Sequence, residues 1–318
     1  MRLRVLVAGL LVAMLFVSCA ARDSEVGSKK VVLIMKALSN PFFARMADGA
    51  KECAEKLSVD LSVMGIDKET DVEKQIALVE TQVVKRVGAI VIAPADSKAL
   101  VVALKKAVDK GIIVINIDNP LDEGVMRAKD VSIPFVGSDN KQGAKMAGQY
   151  LIQKLGGSGK VALLEGIPGV INAELRKQGF LEACEEAGPA VEVVARQTAN
   201  WHTEEAYSVF SNMLTAHPDI DGVFAANDNM ALGAVQAIKA KGLTGKIVVV
   251  GYDNLKAAQE AILEGSMAAT IEQHPELMGG YGVELAKKAL DGEEIADYTP
   301  TPLAVIDMSV LKGKTISM

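Results

Sequence analysis

Short, unbroken apolar runs recur along this chain, and a stretch of amphipathic helical length follows most of them. The runs are Val31–Met35, Ala89–Ala93, Ile112–Ile117, Lys160–Leu164, Val191–Ala195, Gly222–Ala226 and Ile247–Val250. They are continuous rather than alternating, the pattern of parallel strands buried on both faces. The helical stretches include Phe42–Leu57, Asp71–Val87, Ser97–Lys110, Lys141–Leu155, Glu204–Ala216 and Asn229–Lys241. Such alternation implies right-handed βαβ units and a doubly wound α/β fold with parallel sheets. The strands are too many for one sheet of ordinary width, so two similar lobes are expected. The break is expected near Val136-Gly137-Ser138-Asp139. No linker rich in Gly, Pro or Ser marks it, which argues for short hinge strands crossing between the lobes.

A chain of 318 residues, 50% hydrophobic and 23% charged, fits a globular protein of two domains. Its formal charge of −6 argues against binding the phosphate backbone of nucleic acid. Arg2 and Arg4 precede an apolar run of 13 residues, Val5 to Val17. That run is shorter than the roughly 20 residues a spanning helix needs, and reads as a secretory signal. Leu15-Phe16-Val17-Ser18-Cys19-Ala20 resembles a bacterial lipobox, with Phe16 and Val17 larger than usual there. Two outcomes follow: a lipid-anchored Cys19, which we favour, or ordinary cleavage after Ala20 or Ala21. Residues 1–18 are thus expected as signal peptide and 19–29 as tether. Cys53 and Cys184 are expected as buried free thiols, and no Cys or His spacing suggests zinc.

Ligands of open α/β sheets bind at the carboxyl ends of the strands, so the residues that follow each run carry the information. They are Lys36 with Asn40-Pro41-Phe42-Phe43, Pro94-Ala95-Asp96, Asp118-Asn119, Ser138-Asp139-Asn140, Asn227-Asp228, Tyr252-Asp253-Asn254 and Glu272-Gln273. Aromatic residues are only 4% of the chain, yet Phe42, Phe43, Tyr252 and the sole tryptophan, Trp201, fall at rim or loop positions. A sugar needs this mixture: carboxylates, amides and guanidinium for paired hydroxyls, and flat rings for its C–H faces. Asp96, Asp139 and Asp228 are read as helix caps in preference to ligand contacts. Phe42 or Phe43 could instead staple a helix to the sheet. Lys36 could snorkel from a strand end to water. Gly156-Gly157-Ser158-Gly159-Lys160 lacks the spacing of a phosphate loop and precedes a strand, so it reads as a tight turn.

Several of these motifs, in this order, resemble the periplasmic sugar-binding proteins of ABC importers, the ribose-binding-protein cluster. The pieces are Ser39-Asn40-Pro41-Phe42-Phe43, Pro94-Ala95-Asp96-Ser97, Asn116-Ile117-Asp118, Gly137-Ser138-Asp139-Asn140, Ala226-Asn227-Asp228-Asn229-Met230, Val250-Gly251-Tyr252-Asp253 and Ala269-Thr270-Ile271-Glu272-Gln273. The resemblance covers nearly all of Lys30 to Ile316. It implies two Rossmann-like lobes joined by three hinge crossings, near Ser138, Gln273 and Thr301. The N-terminal lobe would be 30–138 plus 274–301, and the C-terminal lobe 139–273 plus 302–318. Implied ligand contacts are Asn40, Phe42, Phe43 and Asp118 from the first lobe, with Trp201, Asn227, Asp253 and Gln273 from the second. Tyr252 and Arg176 join them by position.

The departures bear on specificity. Lys36 stands where ribose binders place a small hydroxyl residue, Ala93 lacks their amide, and Asn119 replaces an arginine. Glu174 aligns with a ribose-contacting arginine, and the nearby Arg176 matches a different one. Lys36, Asn119 and Glu174 are therefore candidate contacts that move the preference away from ribose. Lys36 and Asp96-Ser97-Lys98-Ala99 resemble fructose-binding relatives, and Asn200-Trp201 resembles polyol- and pentitol-binding relatives. The expected function is capture of a monosaccharide or sugar alcohol of the ribose, fructose or pentitol class for an ABC permease. Presentation of sugar to a membrane chemoreceptor or kinase is the alternative. The expectation further holds no enzymatic activity, no cofactor, no metal and no nucleic acid. It places a monomer in the periplasm or on the extracytoplasmic face.

Overall fold

The computed structural model describes residues 29–315. The expected signal peptide, Cys19 and the tether through Ser28 lie outside them. In chain order the first lobe holds β1 (Val31–Ala37), α1 (Pro41–Leu57), β2 (Leu61–Ile66), α2 (Val72–Lys85), β3 (Ala89–Ile92), α3 (Ala99–Asp109), β4 (Ile113–Ile117), α4 (Glu123–Ala128) and β5 (Phe135–Gly137). The second holds α5 (Asn140–Lys154), β6 (Gly159–Glu165), α6 (Ile171–Ala187), β7 (Val191–Thr198), α7 (Thr203–Ala216), β8 (Gly222–Ala225), α8 (Asp228–Ala240), β9 (Val248–Val250), α9 (Lys256–Glu264) and β10 (Ala269–Glu272). The chain then returns as α10 (Pro275–Leu290), which packs on α1, β3 and β4. It closes with β11 (Tyr298–Pro300), β12 (Ala304–Asp307) and α11 (Met308–Thr315).

The two sheets repeat one plan. The first runs β11-β5-β4-β3-β1-β2 and is parallel throughout. The second runs β12-β10-β9-β8-β6-β7, with only β12 antiparallel. Setting aside the returning strands, each lobe has the order second-first-third-fourth-fifth, a doubly wound sheet with its switch point beside its first strand. The two-lobed α/β fold read from the sequence is the fold observed. β1, β3 and β8 are buried at every residue, as continuous apolar runs require. Val191–Ala195 differs from expectation: β7 is an edge strand, and only Val191 along it is fully buried.

Capping follows local chemistry. Asn40 accepts from the Phe42 amide with Pro41 at the first helical position, so α1 starts there. Asp139 caps α5 through the Gln142 amide, and Asp96 accepts from the Lys98 and Ala99 amides ahead of α3. Asp228 is not a cap. Asn227 fills that role on α8, while Asp228 is buried and accepts from the Leu255 amide and the Thr270 hydroxyl. Gly156 and Gly157 have positive φ in the tight turn expected after α5, and Gly159, also at positive φ, opens β6 with Lys160. Cys184 is buried and Cys53 partly so, both unpaired.

Helix α10 lies so close to α1 that a side chain at Gly279 would collide with the Met46 carbonyl oxygen. Gly279→Val should therefore lower stability by roughly 1–3 kcal/mol, since backbone cannot yield as a rotamer does. Urea unfolding of the variant beside wild type checks this.

Candidate ligand site between the lobes

The carboxyl ends of the two sheets face each other across a small cavity lined from both lobes. The first lobe contributes Lys36, Asn40, Phe42, Phe43, Glu69 and Asp118. The second contributes Asn172, Arg176, Trp201, Asn227 and Asp253. This is where doubly wound sheets bind ligands.

On the first wall, Lys36 is 2% exposed, with its ammonium 3.1 Å from Asp118 Oδ2 and 4.0 Å from Glu69 Oε2. It does not snorkel to solvent; it is a buried cation held by two carboxylates and lying 5.4 Å from the Phe43 ring centroid. Asn40 donates to Glu69 Oε1 at 3.2 Å, so the α1 cap also steers that carboxylate. Burial pushes the Glu69 carboxyl up, against the pull of Lys36. Phe42 and Phe43 meet edge to face at 5.2 Å.

On the second wall, Arg176 is the centre. Its Nε donates to Asn140 Oδ1 at 2.7 Å, and its Nη1 donates to Ala226 O at 2.8 Å and faces Asp253 Oδ1 at 3.5 Å. The guanidinium lies 3.9 Å from the Tyr252 ring centroid and 5.6 Å from that of Trp201. Burial pushes Asp253 up to about 7, although Arg176 and a 2.7 Å hydrogen bond from Gln273 pull it down. Trp201 is nearly buried in a left-handed backbone conformation, and Asn227 Nδ2 donates to its carbonyl oxygen. Gly166 lies under the indole, where any side chain would collide with it.

Four sequence candidates stand elsewhere. Glu174 does not line the cavity; it pairs with Lys177 and accepts from the Gly169 amide. A helix advances about 100° per residue, so Asn172 and Arg176 share a face that Glu174 leaves. Asn119 lies behind the cavity, donating to Pro94 O and Ser97 Oγ. Tyr252 is fully buried beneath Arg176. Gln273 ties Asp253 to the Ser138 hydroxyl at the passage between the sheets.

Sequence reading missed Glu69 and Asn172. Glu69 sits in the β2–α2 loop, outside every motif. Helical phase, taken from Arg176, was the signal that could have found Asn172. Gln75 was also missed. It bonds the Met35 and Ala93 carbonyls and the Ala95 amide, supplying from α2 a buried amide at the strand end where Ala93 has none. Among the described residues, Glu272, His274 and Glu276 form the cluster with metal-like spacing. Arg45 already bonds both carboxylates, at 3.1 and 2.7 Å.

Two lobes with a polar, ring-walled cavity between their strand ends define a bilobal binding protein. Residues 31–294 match the model of the periplasmic binding protein domain, and the chain belongs to that family. A D-ribose/D-allose-binding protein of Pseudomonas aeruginosa is 43% identical over 283 residues, 87% of this chain and 88% of that protein. A ribose import binding protein of Escherichia coli is 35% identical over 296 residues, 93% and 96% of the two chains. A periplasmic solute-binding protein of Actinobacillus succinogenes with bound D-allose superposes with TM-score 0.85. It is 40% identical and covers 90% of this chain and 100% of its own. A Caulobacter myo-inositol-binding protein, 29% identical, gives 0.84 over 91% and 97%. The family is one of substrate-binding transport proteins. No helix of the described residues is long and apolar enough to cross a membrane.

Proposed function

We propose that this chain is the substrate-binding component of a sugar ABC importer and clamps one neutral monosaccharide or sugar alcohol between its lobes. The cavity's composition carries this reading. Phe42, Phe43 and Trp201 offer faces for C–H surfaces, while Lys36, Asn40, Asp118, Asn172, Arg176, Asn227 and Asp253 offer donors and acceptors for hydroxyls. Two cations, Lys36 and Arg176, face three carboxylates, Glu69, Asp118 and Asp253, which favours a neutral sugar over a sugar acid. The hinge divides the chain as 30–138 plus 274–301 and 139–273 plus 302–318. Cys19 carries a lipid anchor at the extracytoplasmic face, and the monomer delivers its sugar to an ABC permease. The relatives named for ribose and allose support this class of ligand.

Calorimetric titration of refolded, ligand-stripped protein tests it with D-ribose, D-allose, D-fructose, myo-inositol and a sugar acid. Saturable binding of one neutral compound is expected, and preference for the acid would refute the reading. Lys36→Ser should reorder the neutral ligands; an unchanged ranking would remove Lys36 from specificity.

Closure without ligand has a pH dependence. Glu69 and Asp253 are raised above the usual carboxylate range when the lobes enclose them. The closed state therefore binds more protons than an opened one, and acid favours it. Between pH 8 and pH 5 the ligand-free closed-to-open ratio should rise by up to about a hundredfold, from a value near 7 for Asp253 in the closed form and an ordinary carboxylate in the opened one. Interlobe distances between spin labels would show this, and a population flat across that range would contradict it.

A further inference from the structure

Helix α6 has no cap of its own: Val170 stands at its N-cap with no side-chain hydrogen bond to the first turn. Two first-turn amides instead find acceptors in the other lobe. The Ile171 amide donates to Ser97 Oγ at 3.2 Å, and the Asn172 amide donates to Asn119 Oδ1 at 3.2 Å. Ser97 and Asn119 are bonded to each other at 3.1 Å, and Asn119 is anchored to Pro94 O. Both are fully buried in this closed form.

We propose that Ser97 and Asn119 form an interlobe latch, a helix cap supplied in trans that exists only when the lobes are shut. The proposal rests on the lobes opening and closing about the hinge, as the functional reading requires. An N-terminal turn leaves amides that must be satisfied, and a side-chain oxygen does so better than a bare end. In an opened molecule the α6 amides and the Ser97–Asn119 pair return to water. The latch also sets Asn172, whose Oδ1 is buried without a partner on the cavity wall, so Asn119 acts as a positioning residue behind a cavity residue.

Closure that depends on the latch makes a distinct kinetic signature. Ser97→Ala and Asn119→Ala should each speed sugar release roughly fivefold, the net worth of about one hydrogen bond. Stopped-flow displacement of D-ribose and D-allose should show the same factor for both sugars, with the association rate held. The ligand-free melting temperature of Ser97→Ala should stay close to wild type, because the open form does not use the latch, whereas that of Asn119→Ala should fall, because Asn119 also donates to Pro94 O within its own lobe. At pH 5 without ligand, spin-label distances should show a smaller closed fraction in both variants. Unchanged release rates together with an unchanged closed fraction would overturn the latch. A factor that differs between the two sugars would also overturn it, by making Asn119 a ligand contact. Failure of every neutral sugar to bind wild type would count against the ligand reading, and the ligand-free distances would still decide the latch.

Discussion

Arg176→Met should abolish most ligand binding and also loosen the second lobe. The guanidinium is 3% exposed and serves Asn140, the Ala226 carbonyl and Asp253 while lying against Tyr252. Methionine keeps the length and removes every donor. Breaking a buried ion pair by deleting one partner costs roughly 3–5 kcal/mol. Asp253 absorbs part of that, because without Arg176 its carboxyl rises further and stays protonated. The melting temperature should fall by roughly 6–20 °C. Affinity should fall roughly 10²- to 10⁴-fold, from one charged donor and the misplaced Asp253 together. Calorimetry and thermal unfolding of one preparation separate the two effects. Near-normal affinity would remove Arg176 from the site.

The second large effect belongs to Asp118, and it falls on stability as well as binding, because losing the charge leaves the buried Lys36 ammonium with Glu69, 4.0 Å away, as its remaining carboxylate. Its Oδ2 is buried on the cavity wall, paired with the Lys36 ammonium at 3.1 Å and carrying no further hydrogen bond, which leaves acceptor capacity for a ligand. Asp118→Asn keeps a residue that tolerates the observed φ of 66° and removes the charge. Affinity should drop roughly 10- to 100-fold, the worth of a hydrogen bond to a charged group. Asp118→Ala should bind still less and lose about 1 kcal/mol or more, because alanine is strained in the left-handed region. Circular dichroism and calorimetry check both. An Asp118→Asn variant that binds as wild type would exclude the carboxylate from ligand contact.

Much of this arrangement is legible in the sequence, for physical reasons. β1, β3 and β8 announce themselves because burial on both faces forbids polar interruptions. Lys36 and Asp118 stand out as charges at the ends of such runs, where a charge must have a partner. Each turns out to be part of the other's partner. β2 left no such mark, because it is an edge strand whose residues, Ile66 apart, are only half buried. Glu69 follows it in a loop, so no periodicity points to it. Glu174 matches a family position along the chain, whereas a helix presents faces; Asn172 and Arg176 share the useful one. By sequence Asn119 is a substituted ligand contact, yet its side-chain oxygen accepts from the end of a helix in the other lobe. No linear pattern encodes a contact made across a hinge.

A neutral sugar or polyol is expected to close the lobes around Trp201. The emission of Trp201, the only tryptophan, measures this most directly. In refolded protein stripped of ligand, titration with neutral sugars should give one saturable spectral change, with the same midpoint as calorimetry. Saturable heat with a silent tryptophan would place the ligand outside this cavity and contradict the account.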